Sequence, residues 1–256
     1  MRGISLVTCA SDAGMSRSSA RAIRAAVRQG IVRNVSILAC ATEAADAAGT
    51  LVDLGDRADF GLHVCLTSEW TPIRWGPVSR AEDVPTLIRP DGTFPMDCAE
   101  LAELGPNLDQ MTVEVVAQYE RLRSLGIRPS YMDEHMAVGN VAGLHTRLED
   151  LARKWGLRYA RTLLREEKLR TIAGWAGPGE HPGTELADQL AGLEPGTYLL
   201  VGHPAFKSQE MERLRLPGAE DVMTQRNRER RMFTDIEIVD YCETSGIRLL
   251  RFSEMG

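Results

Sequence analysis

The stretch from Ile4 to Gly14, ISLVTCASDAG, constrains the fold of this chain most. Its apolar and β-branched residues predict a buried strand, which Ser11 and Asp12 end just before a helix begins. In an α/β protein such a strand end lies at the mouth where ligands bind and catalytic groups gather. We therefore interpret Asp12 as the first ligand of a metal site.

Strand and helix patterns alternate along the first part of the chain. Ser16 predicts a helix cap, and apolar residues then recur at helical spacing until Gly30 ends the helix. NVSILAC from Asn34 predicts a second strand, an alanine-rich helix follows from about Thr42 to Leu54, and ADFGLHVCLT predicts a third strand. This alternation is typical of parallel sheets with right-handed crossovers.

A long proline-rich connection at about 68–106 interrupts the pattern, and we expect it to be a functional loop over the site. The units then resume with a helix over 108–125, the strand PSYMDEHM, a helix to about Trp155, the short strand LRYART, the strand TYLLVGHPAF and the closing strand IRLLRF. The unit count predicts an α/β protein with a single domain, a distorted (β/α) barrel of about seven parallel strands.

Composition narrows the function classes. The formal net charge of -6 and a pI near 5.5 lack the basic character of a nucleic-acid binder. The beginning of the sequence lacks the long apolar core of a signal peptide, and no stretch approaches the ~18 apolar residues of a membrane span. We expect a cytoplasmic protein without nucleic-acid or membrane partners, and the sequence leaves a homodimer open.

Four predicted strands end with a group that can bind a metal or transfer a proton: Asp12, His63, His135 and His203. A lone histidine is more often a buried polar group than a ligand, but three of the chain's 5 histidines fall at such ends. Two imidazoles and one carboxylate suit a divalent ion, zinc above all, while magnesium, manganese and nickel stay open. His203 is the candidate general acid, because histidine titrates near neutrality.

Asp133 is the acid next to these groups that strand geometry selects. Side chains alternate along a strand, so Asp133 and His135 share one face while Glu134 points to the other. Two roles for Asp133 stay open. It could act catalytically on water, or it could orient a ligand imidazole.

Three further features lie near the expected mouth. Arg161, at the end of the predicted LRYART strand, could bind a substrate carboxylate through two parallel hydrogen bonds or belong to a structural ion pair. Trp70 and Trp75 could stack on a sugar ring or anchor the long loop. The charged run over 225–231 predicts a solvated helix face.

Several ordered motifs resemble those of the YdjC-like carbohydrate deacetylases. Residues 10–14 are similar to the family's A-D-D-F-G motif, and residues 61–67 to its G-L-H-L-T-L-T segment. Residues 133–139 resemble D-S-H-x-H-x-H, residues 203–205 resemble H-P-G, and Arg161 resembles an arginine after the fifth strand. The similarity spans nearly the whole chain in order.

The resemblance implies a distorted seven-stranded barrel that hydrolyses N-acetyl groups on sugars. It also implies that Asp12, His63 and His135 hold a divalent metal ion and that His203 acts as the acid. The substrate would then be a small carbohydrate-like molecule.

Ser11 departs from the family pattern, because it stands where the family has the aspartate that acts as base. A hydroxyl without assistance cannot accept a proton near neutral pH as a carboxylate does, so Asp133 is the nearest other candidate. The leading interpretation is a metal-dependent, deacetylase-like hydrolase. Two alternatives stay open: a metal-dependent lyase or hydrolase acting on a different bond of a sugar-derived metabolite, and a catalytically silent carbohydrate-binding homologue.

Overall fold

The computed structural model describes residues 3–166, 168–172, 179–216, 218 and 221–255. Within these residues eight strands form one sheet: β1 (Ile4–Ala13), β2 (Asn34–Ile37), β3 (Asp59–Val64), β4 (Tyr131–Glu134), β5 (Arg158–Tyr159), β6 (Arg170–Thr171), β7 (Gly196–Gly202) and β8 (Arg248–Leu250). The helices are α1 (Arg17–Gln29), α2 (Ala44–Leu51), α3 (Cys98–Glu103), α4 (Leu108–Ser124), α5 (Leu144–Trp155), α6 (Ala160–Arg165), α7 (Pro182–Ala191), α8 (Gln209–Arg213), α9 (Val222–Thr234) and α10 (Ile236–Thr244).

All pairings between these strands are parallel, in the order β5-β4-β3-β2-β1-β7-β6. β8 joins the early part of β1, opposite Ser5–Val7, whereas β2 pairs with β1 only from Cys9 onward. Parallel strands need long crossovers, and helices fill most of them here. The curled parallel sheet, with seven strands in one continuous order, β8 beside β1 and helices around it, confirms the predicted distorted (β/α) barrel.

β1 lies at the centre of the sheet and all ten of its residues are buried. Leu6 and Ala10 belong to the large apolar core that includes the surrounding helices. Val7 and Cys9 belong to a second apolar cluster, which also contains Tyr131 of β4. A strand that is covered on both faces consists of a nearly continuous run of apolar residues, and this run predicted β1 from the sequence.

The helix after β1 has the predicted boundaries. The Ser16 hydroxyl accepts a hydrogen bond from the Ser19 backbone N at 2.9 Å, as an N-cap residue does, and Gly30 ends the helix. The structure corrects one later prediction. Only Arg158 and Tyr159 of the LRYART stretch are a strand, and Arg161 lies in the first turn of α6 rather than at a strand end, because β5 pairs with only two residues of β4 at the edge of the sheet.

The long connection over 68–106 contains α3 and short 3-10 turns, and part of it contacts α4. The Glu114 carboxylate of α4 accepts hydrogen bonds from the Val78 and Ser79 backbone N atoms, both at 2.9 Å. Trp70 and Trp75 are both buried, so they anchor this segment. Among the described residues, no helix is long and apolar enough to cross a membrane.

Candidate metal centre

Three strand ends bring Asp12, His63 and His135 together. Asp12 lies where the register between β1 and β2 shifts, and its backbone takes the left-handed region with φ 61°. Non-glycine residues rarely adopt this conformation, and it is frequent at functional sites. His63 is the penultimate residue of β3, opposite Asp133 on β4, and His135 follows directly after β4.

The three side chains point at one another. Asp12 Oδ1 lies 3.5 Å from His63 Nε2 and 3.2 Å from His135 Nδ1, and these two nitrogens are 3.3 Å apart. All three residues are buried, yet Asp12 Oδ1 has no hydrogen-bond partner among the described residues. Ligand atoms bonded at ~2.0–2.1 Å to one tetrahedral ion lie roughly 3.3 Å apart. The group therefore fits a single divalent ion at its centre.

The electrostatics of the group also favour a cation. Burial alone would lower the pKa of His63, but the Asp133 and Asp12 carboxylates outweigh it and raise the pKa to about 9. Burial would likewise lower the pKa of His135, yet nearby acidic groups raise it well above its usual value. Without a metal, the buried carboxylates draw protons onto these imidazoles. A metal ion would supply the same positive charge.

Two carboxylates orient the two imidazoles from behind. Asp133 Oδ1 lies 2.7 Å from His63 Nδ1, and its other oxygen accepts a hydrogen bond from Ser36 Oγ at 2.6 Å. Glu69 Oε2 lies 3.0 Å from His135 Nε2. A carboxylate on the far nitrogen fixes which nitrogen of a histidine faces the metal.

On the other side of the centre, the end of β7 meets α9. The Glu229 carboxylate accepts a hydrogen bond from the His203 backbone N and lies 3.5 Å from His203 Nδ1. Arg226 Nη1 lies 3.6 Å from the same carboxylate, and its Nη2 lies 3.7 Å from Asp12 Oδ2. Burial would raise the pKa of Glu229, but His203 and Arg226 lower it. The His203 side chain remains 33% exposed and faces the cavity.

Asp12, His63, His135, His203 and Arg226 line one cavity of about 910 Å³. Met136 and Ala137 form part of its wall, and both have left-handed backbone conformations. Arg161 forms two hydrogen bonds of 2.6 Å with the Glu134 carboxylate, which also accepts a hydrogen bond from Tyr159. In this structure the carboxylate that Arg161 binds belongs to the protein itself.

The model of the YdjC-like protein family matches residues 5–244. The chain belongs to this family. It is 25% identical over 256 residues to a carbohydrate deacetylase from Thermoanaerobacter pseudethanolicus, covering 97% of this chain and 98% of that protein. A carbohydrate deacetylase from Geobacillus stearothermophilus is 26% identical over 253 residues, covering 96% and 95%.

The fold of this YdjC-like protein is also found in a solved structure. A candidate cellobiose-phosphate cleavage protein from Enterococcus faecalis V583 superposes with a TM-score of 0.80 at 21% identity, covering 98% of each chain. At that identity the likeness concerns the fold. The carbohydrate deacetylases of similar length support a deacetylase-like enzyme at the level of the family.

The YdjC-like chain brings the predicted site residues into one cavity. Asp12, His63 and His135 form the central group, and His203 and Asp133 line the same space. Ser11 is also there and buried, and its hydroxyl lies 3.7 Å from Cys9 Sγ. Arg161 lines the cavity from the helix α6.

Three residues of the site were not predicted from the sequence: Glu69, Arg226 and Glu229. Glu69 lies at the start of the long loop, two residues after the G-L-H-type segment. Arg226 and Glu229 belong to the charged run interpreted as a solvated face, but they are only 7% and 1% exposed. Their i, i+3 spacing puts both on one side of α9, and that spacing was the available signal.

Proposed function

We propose that this protein is a metal-dependent hydrolase that removes an acyl group, such as N-acetyl, from a carbohydrate. The observation that carries the proposal is the convergence of Asp12 Oδ1, His63 Nε2 and His135 Nδ1 within 3.5 Å of one another in a buried site. The family's carbohydrate deacetylases support the substrate class.

In this proposal Asp12, His63 and His135 hold the ion. Zinc fits best, because two imidazoles with one carboxylate are a common zinc ligand set, whereas magnesium prefers oxygen ligands. A divalent ion bound there lowers the pKa of water and polarises a carbonyl oxygen. Asp133 and Glu69 keep His63 and His135 in the orientation that such binding requires.

His203 is the general acid of the proposal. Glu229 faces its Nδ1, and among the described residues no protein group is bonded to its Nε2, which is therefore available to the substrate. A protonated Nε2 can give its proton to the leaving nitrogen of the sugar amine as the acyl bond breaks. Glu229 stabilises the imidazolium before that transfer.

The attacking water must also give its proton to an acceptor in the site. Asp133 has one oxygen on His63 and the other on Ser36, so its geometry supports orientation of His63 more than proton uptake. Ser11 offers a hydroxyl whose hydrogen-bond neighbour, among the described residues, is the Cys9 thiol at 3.7 Å. We propose that His203, backed by Glu229, first takes the proton from water and then delivers it to the leaving group.

The test is an acetate-release assay on the zinc-loaded protein with a panel of N-acetylated mono- and oligosaccharides. The wild-type chain is expected to release acetate from at least one substrate, and His203→Ala is expected to lower kcat at least ~100-fold with the metal retained. Retained turnover in His203→Ala would contradict the acid and base assignment, and metal-independent turnover would contradict the function.

The Ser11 position favours a second candidate, a metal-containing carbohydrate-binding protein that does not turn over. Every carboxylate of the described cavity wall already lies within 3.5 Å of a histidine or arginine nitrogen: Asp12, Glu69, Asp133 and Glu134. Glu229, beside His203, does so too. None is a free base of the kind the family places at the position of Ser11. Saturable sugar binding without acetate release across the panel would support this candidate instead.

A further inference from the structure

Arg226 is a buried guanidinium with unused hydrogen-bonding capacity in the cavity wall. The side chain is 9% exposed, and its Nε atom is buried without a partner among the described residues. The nearest carboxylate oxygens, on Glu229 and Asp12, lie 3.6 and 3.7 Å away, beyond the usual hydrogen-bond distance. A buried charge without short hydrogen bonds destabilises the folded protein unless another group pairs with it.

The other arginines of the described cavity wall differ from Arg226. Arg161 is bonded to Glu134 at 2.6 Å, and Arg165 is bonded to Glu149 at 2.8 Å. Both are therefore neutralised by the protein itself. Among the arginines of this wall, Arg226 is the one whose guanidinium has no carboxylate within hydrogen-bond distance in the described part of the chain.

The carboxylates closest to Arg226 have other partners. Glu229 accepts a hydrogen bond from the His203 backbone and faces the His203 ring, and Asp12 Oδ1 lies between the two metal-site imidazoles. Drawing either carboxylate onto Arg226 would weaken those contacts. Within the described part of the chain, the guanidinium is thus left without a close acceptor.

The surroundings hold Arg226 in place for such an acceptor. Its Cζ lies 5.5 Å from the centre of the Trp70 ring, and its backbone oxygen accepts a hydrogen bond from the Ala205 N at 3.1 Å. Trp70 Nε1 is a second buried donor without a described partner, on a residue of the same cavity wall. A fixed guanidinium fork matches the two oxygens of a carboxylate.

We infer that Arg226 forms a subsite for an anionic group of the substrate, and that this group is a carboxylate carried by the acylated sugar. The inference rests on the proposed function for the nature of the occupant. A monoanion fits better than a phosphate dianion, because Asp12 and Glu229 lie within 3.7 Å of the guanidinium and repel each added negative charge. Arg226 would then select sugar acids over neutral sugars.

The test is equilibrium binding to the zinc-loaded full chain by calorimetry. The probes are N-acetylglucosamine, two carboxylate derivatives that differ in the position of the charge (N-acetylglucosaminuronic acid and N-acetylmuramic acid), and N-acetylglucosamine 6-phosphate. At least one carboxylate sugar is expected to bind about tenfold or more tightly than the neutral sugar. In Arg226→Gln this preference should disappear while neutral-sugar binding persists, and in Arg165→Gln it should remain.

Arg226→Lys is the control for a folding defect, because it keeps the positive charge and should keep part of the preference for carboxylate sugars. Thermal melting curves show whether each variant is folded. Equal binding of neutral and carboxylate sugars, or a preference that survives Arg226→Gln, would overturn the subsite. Tighter binding of the phosphate sugar through Arg226 would overturn the carboxylate assignment. Acetate release is recorded separately, so selective binding without turnover would count against the proposed function and leave the subsite standing.

Discussion

The two sides of the cavity are held in different ways. On the metal side, Asp133 lies 2.7 Å from His63 and 2.6 Å from Ser36, so the imidazole has one orientation. On the side of α9, the side-chain charge pairs of His203 and Arg226 with Glu229 span 3.5 and 3.6 Å. Short hydrogen bonds preorganise a metal site, whereas longer charge pairs leave donors available to a substrate. The difference teaches that short hydrogen bonds within the chain hold the candidate metal site, whereas the α9 side keeps donors that are less tightly paired.

Ser11→Asp should have the largest effect, because it places a carboxylate next to Asp12 where the chain has only a hydroxyl. A positioned base contributes about 10²–10⁴-fold to the rate, so deacetylase turnover should rise at least ~100-fold in the zinc-loaded protein. Acetate release per unit of bound zinc measures it. Ser11→Asn is the control of similar size that cannot take up a proton, and an equal gain in both variants would show that the carboxylate is not the cause.

Asp133→Ala should have the next largest effect and acts on the metal side alone. Losing the carboxylate that orients a ligand imidazole typically costs 10–100-fold in metal affinity. Competition with a chelating dye measures the zinc affinity. Asp133→Asn, which keeps an oxygen acceptor for His63 Nδ1, should lose less, and unchanged affinity in the alanine variant would refute the orienting role.

Glu229→Gln tests the α9 side. Without the carboxylate that faces His203 Nδ1, the proton transfers proposed for His203 should slow, so kcat should fall about tenfold with KM and zinc content nearly unchanged. Steady-state kinetics on the best substrate of the panel measures both constants. Gln225→Leu removes only a 3.3 Å contact to Glu229 and is the control. A rise in KM alone would assign Glu229 to substrate binding.

Glu134→Gln should have the smallest effect and concerns stability. Burial would raise the pKa of Glu134, but the hydrogen bonds from Arg161 and Tyr159 lower it below the ordinary 4.5. Its contribution is therefore present above the ordinary pKa and lost as pH falls through the lowered one. The variant should lose about 1 kcal/mol at neutral pH and less in acid.

Urea unfolding at several pH values measures this loss. Glu149→Gln, which breaks the more exposed pair with Arg165, is the control and should change stability little. A pH-independent difference between wild type and Glu134→Gln would contradict the assignment.

The sequence could predict the metal side because its geometry follows from strand rules. Parallel strands end at one edge, so Asp12 and His63 had to meet, and Asp133 and His135 had to come near them at the end of β4 and just beyond it. The predicted barrel and the boundaries of α1 followed from apolar periodicity in the same way.

The α9 side could not be predicted in that way. Arg226 and Glu229 reach the centre because α9 packs against the end of β7. Their i, i+3 spacing indicates a shared helix face, but it does not indicate which part of the fold that face meets. The partner of Arg161 was equally hidden. Its Glu134 carboxylate accepts a hydrogen bond from the Gly139 N at 2.9 Å, and a Cβ at Gly139 would lie 2.6 Å from that carboxylate. Only the absence of a side chain at residue 139 leaves room for this pairing.

Zinc content is the most direct test of the metal centre. The wild-type chain, His63→Ala and His145→Ala are loaded with zinc, dialysed and measured by elemental analysis. His145 lies on α5, outside the central group, and is 3.1 Å from the Gly139 oxygen. Near-stoichiometric zinc is expected in wild type and His145→Ala, and its loss is expected in His63→Ala. Zinc retained in His63→Ala, or absent from all three proteins, would contradict the metal centre.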